Sequence, residues 1–77
     1  MNKIVTAVWC GPCKSLKASL EAAKVDNIEY IDADKNMEFC AQKGIKSVPT
    51  LITENDEIIS DFGEIIKKLT SKYLLVK

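Results

Sequence analysis

The sequence predicts an α/β fold in which three helices flank a four-stranded mixed sheet. Ile4 to Val8 form a continuous β-prone apolar run, which is typical of a strand covered on both faces. Gly11-Pro12 ends this run, and proline is tolerated in the first turn of a helix. Apolar residues then recur at spacings of three, four and three, which predicts an amphipathic helix over residues 11–25. That apolar stripe consists of Cys13, Leu16, Leu20 and Ala23.

The middle of the chain predicts a second strand and a second helix. Ile28 to Asp32 combine β-branched and aromatic residues, the composition of a strand. A helix over about residues 35–43 follows, and Gly44 is a plausible C-terminal stop for it. We expect this helix to turn three side chains inward: Met37, Cys40 and Ala41.

The last third of the chain predicts a hairpin and a final helix. Two short strands, 50–53 and 57–60, flank Asn55-Asp56, a pair suited to a tight turn. Asp61 and Glu64 have the spacing of a helix-capping pair. The order β-α-β-α-β-β-α requires a parallel first pair of strands and an antiparallel last pair. The final helix is expected to bury Ile65, Ile66, Leu69 and Tyr73.

Length and composition restrict the class of protein. The 77 residues are expected to form a single domain over residues 1–77, and 47% of them are apolar, enough for a globular core. Eleven basic and eleven acidic side chains cancel, which argues against a nucleic-acid or anionic-membrane binder. The apolar run at 4–9 is too short for a signal peptide or a membrane span. We therefore expect a cytoplasmic protein. A monomer is also expected.

Cys10 and Cys13 are expected to carry the chemistry. Cys10, at the end of the first strand, would lie beside the unpaired N–H groups and the positive end of the helix dipole. That environment favours the thiolate, which is the nucleophilic form. Cys13 lies on the apolar stripe and should be shielded. One exposed, activated sulfur and one shielded sulfur suit two-step exchange, in which Cys10 attacks a substrate disulfide and Cys13 resolves the mixed disulfide.

Other interpretations of the cysteines are weaker. A zinc site needs four ligands, whereas the chain offers three cysteines and no histidine, so no metal is expected. A disulfide between residues so close in sequence would stabilise the fold only slightly. Cys40 is in register with Met37 and Ala41, which favours a small core residue over a third redox partner.

Two motifs together resemble those of the thioredoxin family. The segment Trp9-Cys10-Gly11-Pro12-Cys13-Lys14 is similar to the family's active-site motif, and Ser47-Val48-Pro49-Thr50 is similar to its substrate-facing proline loop. The similarity extends over essentially the whole chain, although the length is that of a glutaredoxin. It implies a minimal thioredoxin fold without the extra N-terminal strand and helix of full thioredoxins.

The resemblance also implies a function and a set of site residues. It implies a protein-disulfide reductase that uses a reversible Cys10–Cys13 disulfide and binds no cofactor itself. Electrons would come from NADPH through a flavin-dependent thioredoxin reductase, and the other partners would be proteins that contain disulfides. The Val48–Pro49 bond should be cis, turning the backbone N–H and C=O of Val48 toward an extended substrate. Substrate contacts are implied for Trp9, Gly11, Pro12, Val48 and Pro49.

Two residues depart from the family pattern. Thioredoxins carry a buried Asp six residues before the nucleophile, where this chain has Ile4, and the Lys that partners this Asp is replaced by Tyr30. Proton transfer at Cys13 must then use water, substrate or another group.

Two alternative functions stay open at this point. A glutathione-dependent glutaredoxin fits the length but not Gly11-Pro12, where that family typically has Pro-Tyr. A non-catalytic binding subunit would use the groove of the fold and not its thiols. Ribonucleotide reductase is a possible client on grounds of size alone.

Overall fold

A computed structural model of the chain describes residues 2–74, the last four of them by their backbone alone. The strands are β1 (Asn2–Thr6), β2 (Ile28–Asp32), β3 (Thr50–Ile52) and β4 (Ile58–Ile59). The α-helices are α1 (Gly11–Ala22), α2 (Met37–Lys43) and α3 (Phe62–Leu74), and a 3-10 helix (Ala33–Lys35) precedes α2. The predicted order of elements is confirmed.

The four strands form one mixed sheet in the order β2-β1-β3-β4. β1 runs parallel to β2 and antiparallel to β3, and β4 is antiparallel to β3. The predicted parallel first pair and antiparallel last pair are therefore both present. β1 lies between β2 and β3, and its two apolar residues, Ile4 and Val5, are adjacent because both faces of the sheet are covered.

Adjacent residues of β1 face opposite sides of the sheet, and both sides are covered. Ile4 and Val5 have no exposed surface. Ile4 belongs to a cluster that we call the large core, together with Leu16, Leu20, Leu51, Ile65 and Leu69 from α1, β3 and α3. Val5 belongs to a cluster that we call the small core, together with Cys40 and Ile52 from α2 and β3.

Three local signals act as the sequence predicts. Gly44 ends α2 in the left-handed conformation, with φ of 73°. The backbone N–H of Glu64 donates to the Asp61 carboxylate at 3.0 Å, at the start of α3. In the β3–β4 connection, Asp56 has a positive φ of 63°, and its N–H donates to the carbonyl of Thr53.

The first strand and the first helix are displaced from their predicted ends. β1 covers residues 2–6 rather than 4–8, and Val8 is 72% exposed. α1 ends at Ala22 rather than 25, and Ala23 is exposed. The cause is a Schellman closure, in which Lys24 takes a left-handed conformation and the N–H of Val25 donates to the carbonyl of Leu20. Because Lys24 occupies a position where glycine is usual, the sequence gives no sign that the helix ends there.

The predicted inward face of α2 is wrong at two of its three positions. Cys40 is buried, but Met37 is 72% exposed and Ala41 is exposed. Residues 33–35 form a separate 3-10 helix, so α2 has only seven residues and begins at Met37. The Met37 side chain therefore lies at the exposed first turn of α2. In the last helix, Ile65 and Leu69 are buried and Ile66 is partly buried, while the Tyr73 side chain lies outside the described residues.

Candidate active site

Cys10 and Cys13 lie at the junction between β1 and α1. A short turn after β1 is closed by the N–H of Cys10, which donates to the carbonyl of Ala7 at 3.1 Å. Cys10 is the N-cap residue of α1, and the backbone N–H of Cys13 donates to its Sγ at 3.1 Å. The two cysteines form a disulfide with their Cα atoms 5.3 Å apart. The sulfur of Cys10 thus receives an N–H from the unsatisfied first turn of a helix.

Both cysteines are buried in this oxidised form. Cys10 is 4% exposed and Cys13 is 3% exposed. The expectation of one exposed and one shielded sulfur is therefore wrong for the disulfide. The two cysteines share a small cluster with Ala7, and Val48 packs against it from the neighbouring loop. The two cysteines are therefore shielded to a similar extent in this form.

The loop before β3 lies beside the disulfide. The Val48–Pro49 peptide bond is cis, as predicted, and Pro49 is buried. The carbonyl oxygen of Val48 is 3.9 Å from Sγ of Cys10. The buried hydroxyl of Thr50 donates to the carbonyl of Ser47 at 2.6 Å, which fixes the loop between the two residues.

A groove next to this loop has a volume of about 340 Å³, and we call it the substrate-side groove. Trp9 is 68% exposed at its wall. The Nε1 of Trp9 donates to Oδ2 of Asp34 at 2.9 Å. The groove is lined by Trp9, Ala33, Asp34, Met37, Cys40, Ala41, Ile45, Lys46, Ser47 and Val48.

Sequence reasoning missed Asp34 and Met37 as parts of this wall. Asp34 is 25 residues from Trp9, and a hydrogen bond at that separation leaves no local signal. The spacing of Met37 predicts a core residue. An exposed methionine beside an exposed tryptophan is instead typical of a surface that binds apolar side chains.

A second, smaller cleft of about 180 Å³ lies against Cys13, and we call it the Cys13 cleft. It is bounded by the end of β1, the first turns of α1 and the last residue of β2. Its lining residues are Thr6, Ala7, Val8, Cys13, Lys14, Lys17 and Asp32. The lining includes a carboxylate and two ammonium groups.

The two departures from the family pattern are neighbours in the sheet. Ile4 and Tyr30 are directly opposite in the β1–β2 register, and Ile4 is fully buried. The ammonium of Lys17 lies 5.0 Å from the centre of the Tyr30 ring. Burial of the phenol and, less strongly, the charge of Glu21 raise the pKa of Tyr30. An apolar side chain and a neutral phenol thus occupy the positions of the family's ion pair.

The other two predicted contact residues lie at the start of α1. Gly11 and Pro12 are both exposed, and a side chain added at Gly11 would meet nothing within 4 Å. Among residues 2–74, no group of three or more His, Cys, Asp or Glu side chains could hold a metal ion. No helix in this part of the chain is long and apolar enough to cross a bilayer.

Known proteins resemble this chain in sequence and in structure. The family model described as Thioredoxin matches residues 4–74. The thioredoxin of Bacillus subtilis is 32% identical over 79 aligned residues, covering 88% of this chain and 76% of that protein. The mitochondrial Thioredoxin-2 of Schizosaccharomyces pombe is 32% identical, covering 87% of this chain and 57% of that protein.

Solved structures show the same fold. Thioredoxin 1 of Thermosipho africanus superimposes with a TM-score of 0.69 at 22% identity, covering 97% of this chain and 94% of that one. A mutant thioredoxin of Halobacterium salinarum gives a TM-score of 0.68 at 25% identity, covering 91% and 71% of the two chains. The chain spans little more than half of some relatives, such as 53% of the Staphylococcus saprophyticus thioredoxin.

Proposed function

The chain belongs to the thioredoxin family and is a thiol–disulfide oxidoreductase, and from that premise we propose that Cys10 is its nucleophile and Cys13 its resolving cysteine. The observation that carries this assignment is the hydrogen bond from the N–H of Cys13 to Sγ of Cys10. A helix N-terminus and an N–H donor both stabilise negative charge on that sulfur. Cys13, on the buried face of α1, lies within bonding reach of it.

The proposed reaction has two steps. The Cys10 thiolate attacks a substrate disulfide, forming a mixed disulfide and releasing one substrate thiolate. The Cys13 thiolate then attacks Sγ of Cys10, which closes the Cys10–Cys13 disulfide and releases the second substrate thiolate. Two electrons pass from the enzyme dithiol to the substrate.

The substrate is proposed to be a protein segment in extended conformation. The substrate-side groove offers an apolar wall at Trp9 and Met37, and the backbone of Val48 lies beside the reacting sulfur. An extended segment could pair with that backbone as an added strand while its side chains enter the groove. The first turn of α1, at Gly11 and Pro12, would border the other edge of the substrate.

The proposed electron source is NADPH, supplied through a flavin-dependent thioredoxin reductase. Glutathione is the competing reductant if the chain behaves as a glutaredoxin. Ribonucleotide reductase stays a predicted client that rests on size alone. A cytoplasmic, monomeric state likewise stays a prediction.

Single cysteine variants test the two roles directly. Cys10→Ser should abolish insulin disulfide reduction and form no adduct with a protein substrate. Cys13→Ser should also lose turnover, but it should accumulate a mixed disulfide through Cys10 that is visible by mass spectrometry. An adduct on Cys13 of the Cys10→Ser protein, with none on the Cys13→Ser protein, would reverse the assignment.

The same assay distinguishes the reductants and the binding-subunit alternative. The wild-type protein is assayed once with NADPH and thioredoxin reductase and once with glutathione and glutathione reductase. Faster turnover with thioredoxin reductase is expected. Faster turnover with glutathione would favour the glutaredoxin alternative, and absence of turnover with both would favour a binding subunit.

A further inference from the structure

The Cys13 cleft places a carboxylate on the same side of the sheet as the resolving cysteine. Thr6 and Asp32 are opposite each other in the β1–β2 register, two residues beyond the pair formed by Ile4 and Tyr30. Side chains two apart on a strand share a face. Ile4 and Tyr30 pack against the large core beneath α1, so this is the face from which Cys13 also approaches. Both Cys13 and Asp32 line the cleft.

Asp32 is suited to accept a proton there. Its side chain is partly exposed, and Oδ1 accepts the N–H of Asp34 at 2.9 Å, which orients the carboxylate at the start of the 3-10 helix. Among the described residues, the Asp32 carboxylate accepts this hydrogen bond through Oδ1, and none is accepted by Oδ2. The cleft volume of about 180 Å³ leaves room for several water molecules at roughly 30 Å³ each. Water can therefore connect the carboxylate with the sulfur of Cys13.

The charged groups that line the cleft come from α1 and β2. Lys14 and Lys17 line it from α1 and Asp32 from β2, whereas the Asp34 carboxylate lies in the substrate-side groove and accepts the Trp9 indole N–H. Tyr30 is the titratable group on β2 before Asp32, and Lys17 lies over its ring. Within the described residues, Asp32 is the acidic residue that lines this cleft.

We propose that Asp32 accepts, through water in the Cys13 cleft, the proton that Cys13 loses when it resolves the mixed disulfide. The proposal rests on the function proposed above. The S–H bond of Cys13 breaks and its proton passes to the Asp32 carboxylate. The Cys13 thiolate then forms the bond to Sγ of Cys10, and the bond between Cys10 and the substrate sulfur breaks. The departing substrate thiolate is reprotonated from solvent, to which Asp32 also returns its proton.

In the family pattern the carboxylate is a buried Asp at the position of Ile4. In this chain the proposed proton acceptor, Asp32, lies instead on β2, at the edge of the sheet. Ile4 fills the buried position with an apolar side chain that cannot exchange a proton. Asp32 lies at the last position of β2, where it keeps contact with solvent. A carboxylate at a solvated edge can take up and release protons without the cost of a buried charge.

The test separates the two chemical steps with a chromogenic aromatic disulfide that releases one coloured thiolate in each step. The fully reduced protein is mixed rapidly with the reagent, and two phases of release are expected from the wild type. Asp32→Asn should slow the second phase by about tenfold to a hundredfold at pH 7, up to the lower limit for general-base catalysis. The first phase should change less than about twofold. Asn can still accept the N–H of Asp34 through Oδ1, so the 3-10 helix keeps its cap.

Two matched variants and the pH profile complete the experiment. Asp32→Glu should restore most of the second-phase rate because it retains a carboxylate. Asp26→Asn removes the same charge from an exposed loop position outside the cleft and should behave as wild type. The difference between the wild type and Asp32→Asn should shrink as the pH rises toward about 9, because thiols with an ordinary pKa of about 8.5 then ionise without a base.

Several outcomes would overturn the proposal. An unchanged or faster second phase in Asp32→Asn would mean that the carboxylate acts only as a neighbouring negative charge, or not at all. Equal slowing of both phases, or equal slowing in Asp26→Asn, would point to a disturbed site or to net charge. A wild-type protein that releases no coloured thiolate would instead contradict the proposed function itself.

Discussion

The sheet face toward α1 and α3 is covered more completely than the face toward α2. On the first face, the large core joins six buried side chains, and five of them have no exposed surface. On the second face, the small core joins three buried residues and is completed by partly buried ones such as Phe39, Ile45 and Val48. The substrate-side groove opens on this second face, since its wall contains Cys40 of the small core and Val48, which packs against that core.

This difference indicates that one face of the sheet contributes mainly to stability and the other mainly to binding. For the proposed binding of extended protein, the substrate-side groove must leave apolar side chains exposed, as Trp9 and Met37 are. Exposed apolar residues contribute little to the stability of a domain this small. The large core must therefore supply most of the free energy of folding, and it can do so without interfering with access to the disulfide. Mutations on the two faces should separate stability from activity.

The largest effect is expected from shortening a side chain in the large core. Leu20→Ala removes a fully buried side chain from α1. It should lower the free energy of unfolding by about 2–5 kcal/mol, a large share of the roughly 4–12 kcal/mol typical of a domain of this length. Urea denaturation of the oxidised protein, followed by circular dichroism, measures this loss. A loss below about 1 kcal/mol would show that the large core can close around the missing atoms.

A matched pair of isoleucines compares the two faces more finely. Ile4→Val and Ile52→Val each delete one methylene group, the first in the large core and the second in the small core. Costs for this change span about 0.5–1.5 kcal/mol and depend on how well the site collapses. Ile4→Val should lie near the upper limit, because its neighbours are fully buried. Ile52→Val should lie near the lower limit, because partly buried neighbours can move inward. Equal costs, measured by the same denaturation, would contradict the difference between the faces.

The parts of the fold that sequence could predict are those set by strong local patterns. The buried stripe of α1, the stop at Gly44 and the cap at Asp61 each follow from a few adjacent residues. The order of elements follows from these patterns, and the cis bond at Pro49 was implied by the resemblance of its loop. The pairing of Cys10 with Cys13 in one disulfide likewise needed only their spacing and their position at the start of a helix.

The features that sequence could not predict depend on where an apolar residue lies relative to the rest of the chain. Val8 continues the apolar run of β1 and Met37 continues the spacing of Cys40, yet both are 72% exposed. Hydrophobic patterns do not distinguish a core residue from one at a binding surface, because both are apolar. The Trp9–Asp34 hydrogen bond and the meeting of Cys13 with Asp32 in one cleft likewise depend on the fold that brings distant residues together.

The smallest effect on stability is expected at Met37, where the same change should be visible in activity. Met37→Ala removes an exposed side chain, so the free energy of unfolding should change by less than about 0.5 kcal/mol. If Met37 contacts substrate, the loss of its apolar area should weaken binding by about 1 kcal/mol, or roughly fivefold. That loss should raise KM for a protein disulfide substrate while kcat stays close to wild type, because the sulfur chemistry is unchanged.

Met37→Leu is the matched control, since it keeps an apolar side chain of similar size at the same position of α2. Its KM should lie close to the wild-type value in insulin reduction with saturating reductase. A small disulfide that reaches the sulfurs without filling the groove should give equal rates with all three proteins. A Met37→Ala protein that keeps wild-type KM for the protein substrate would place substrate binding elsewhere. The α2 face would then carry exposed apolar side chains for a reason other than recognition of the substrate.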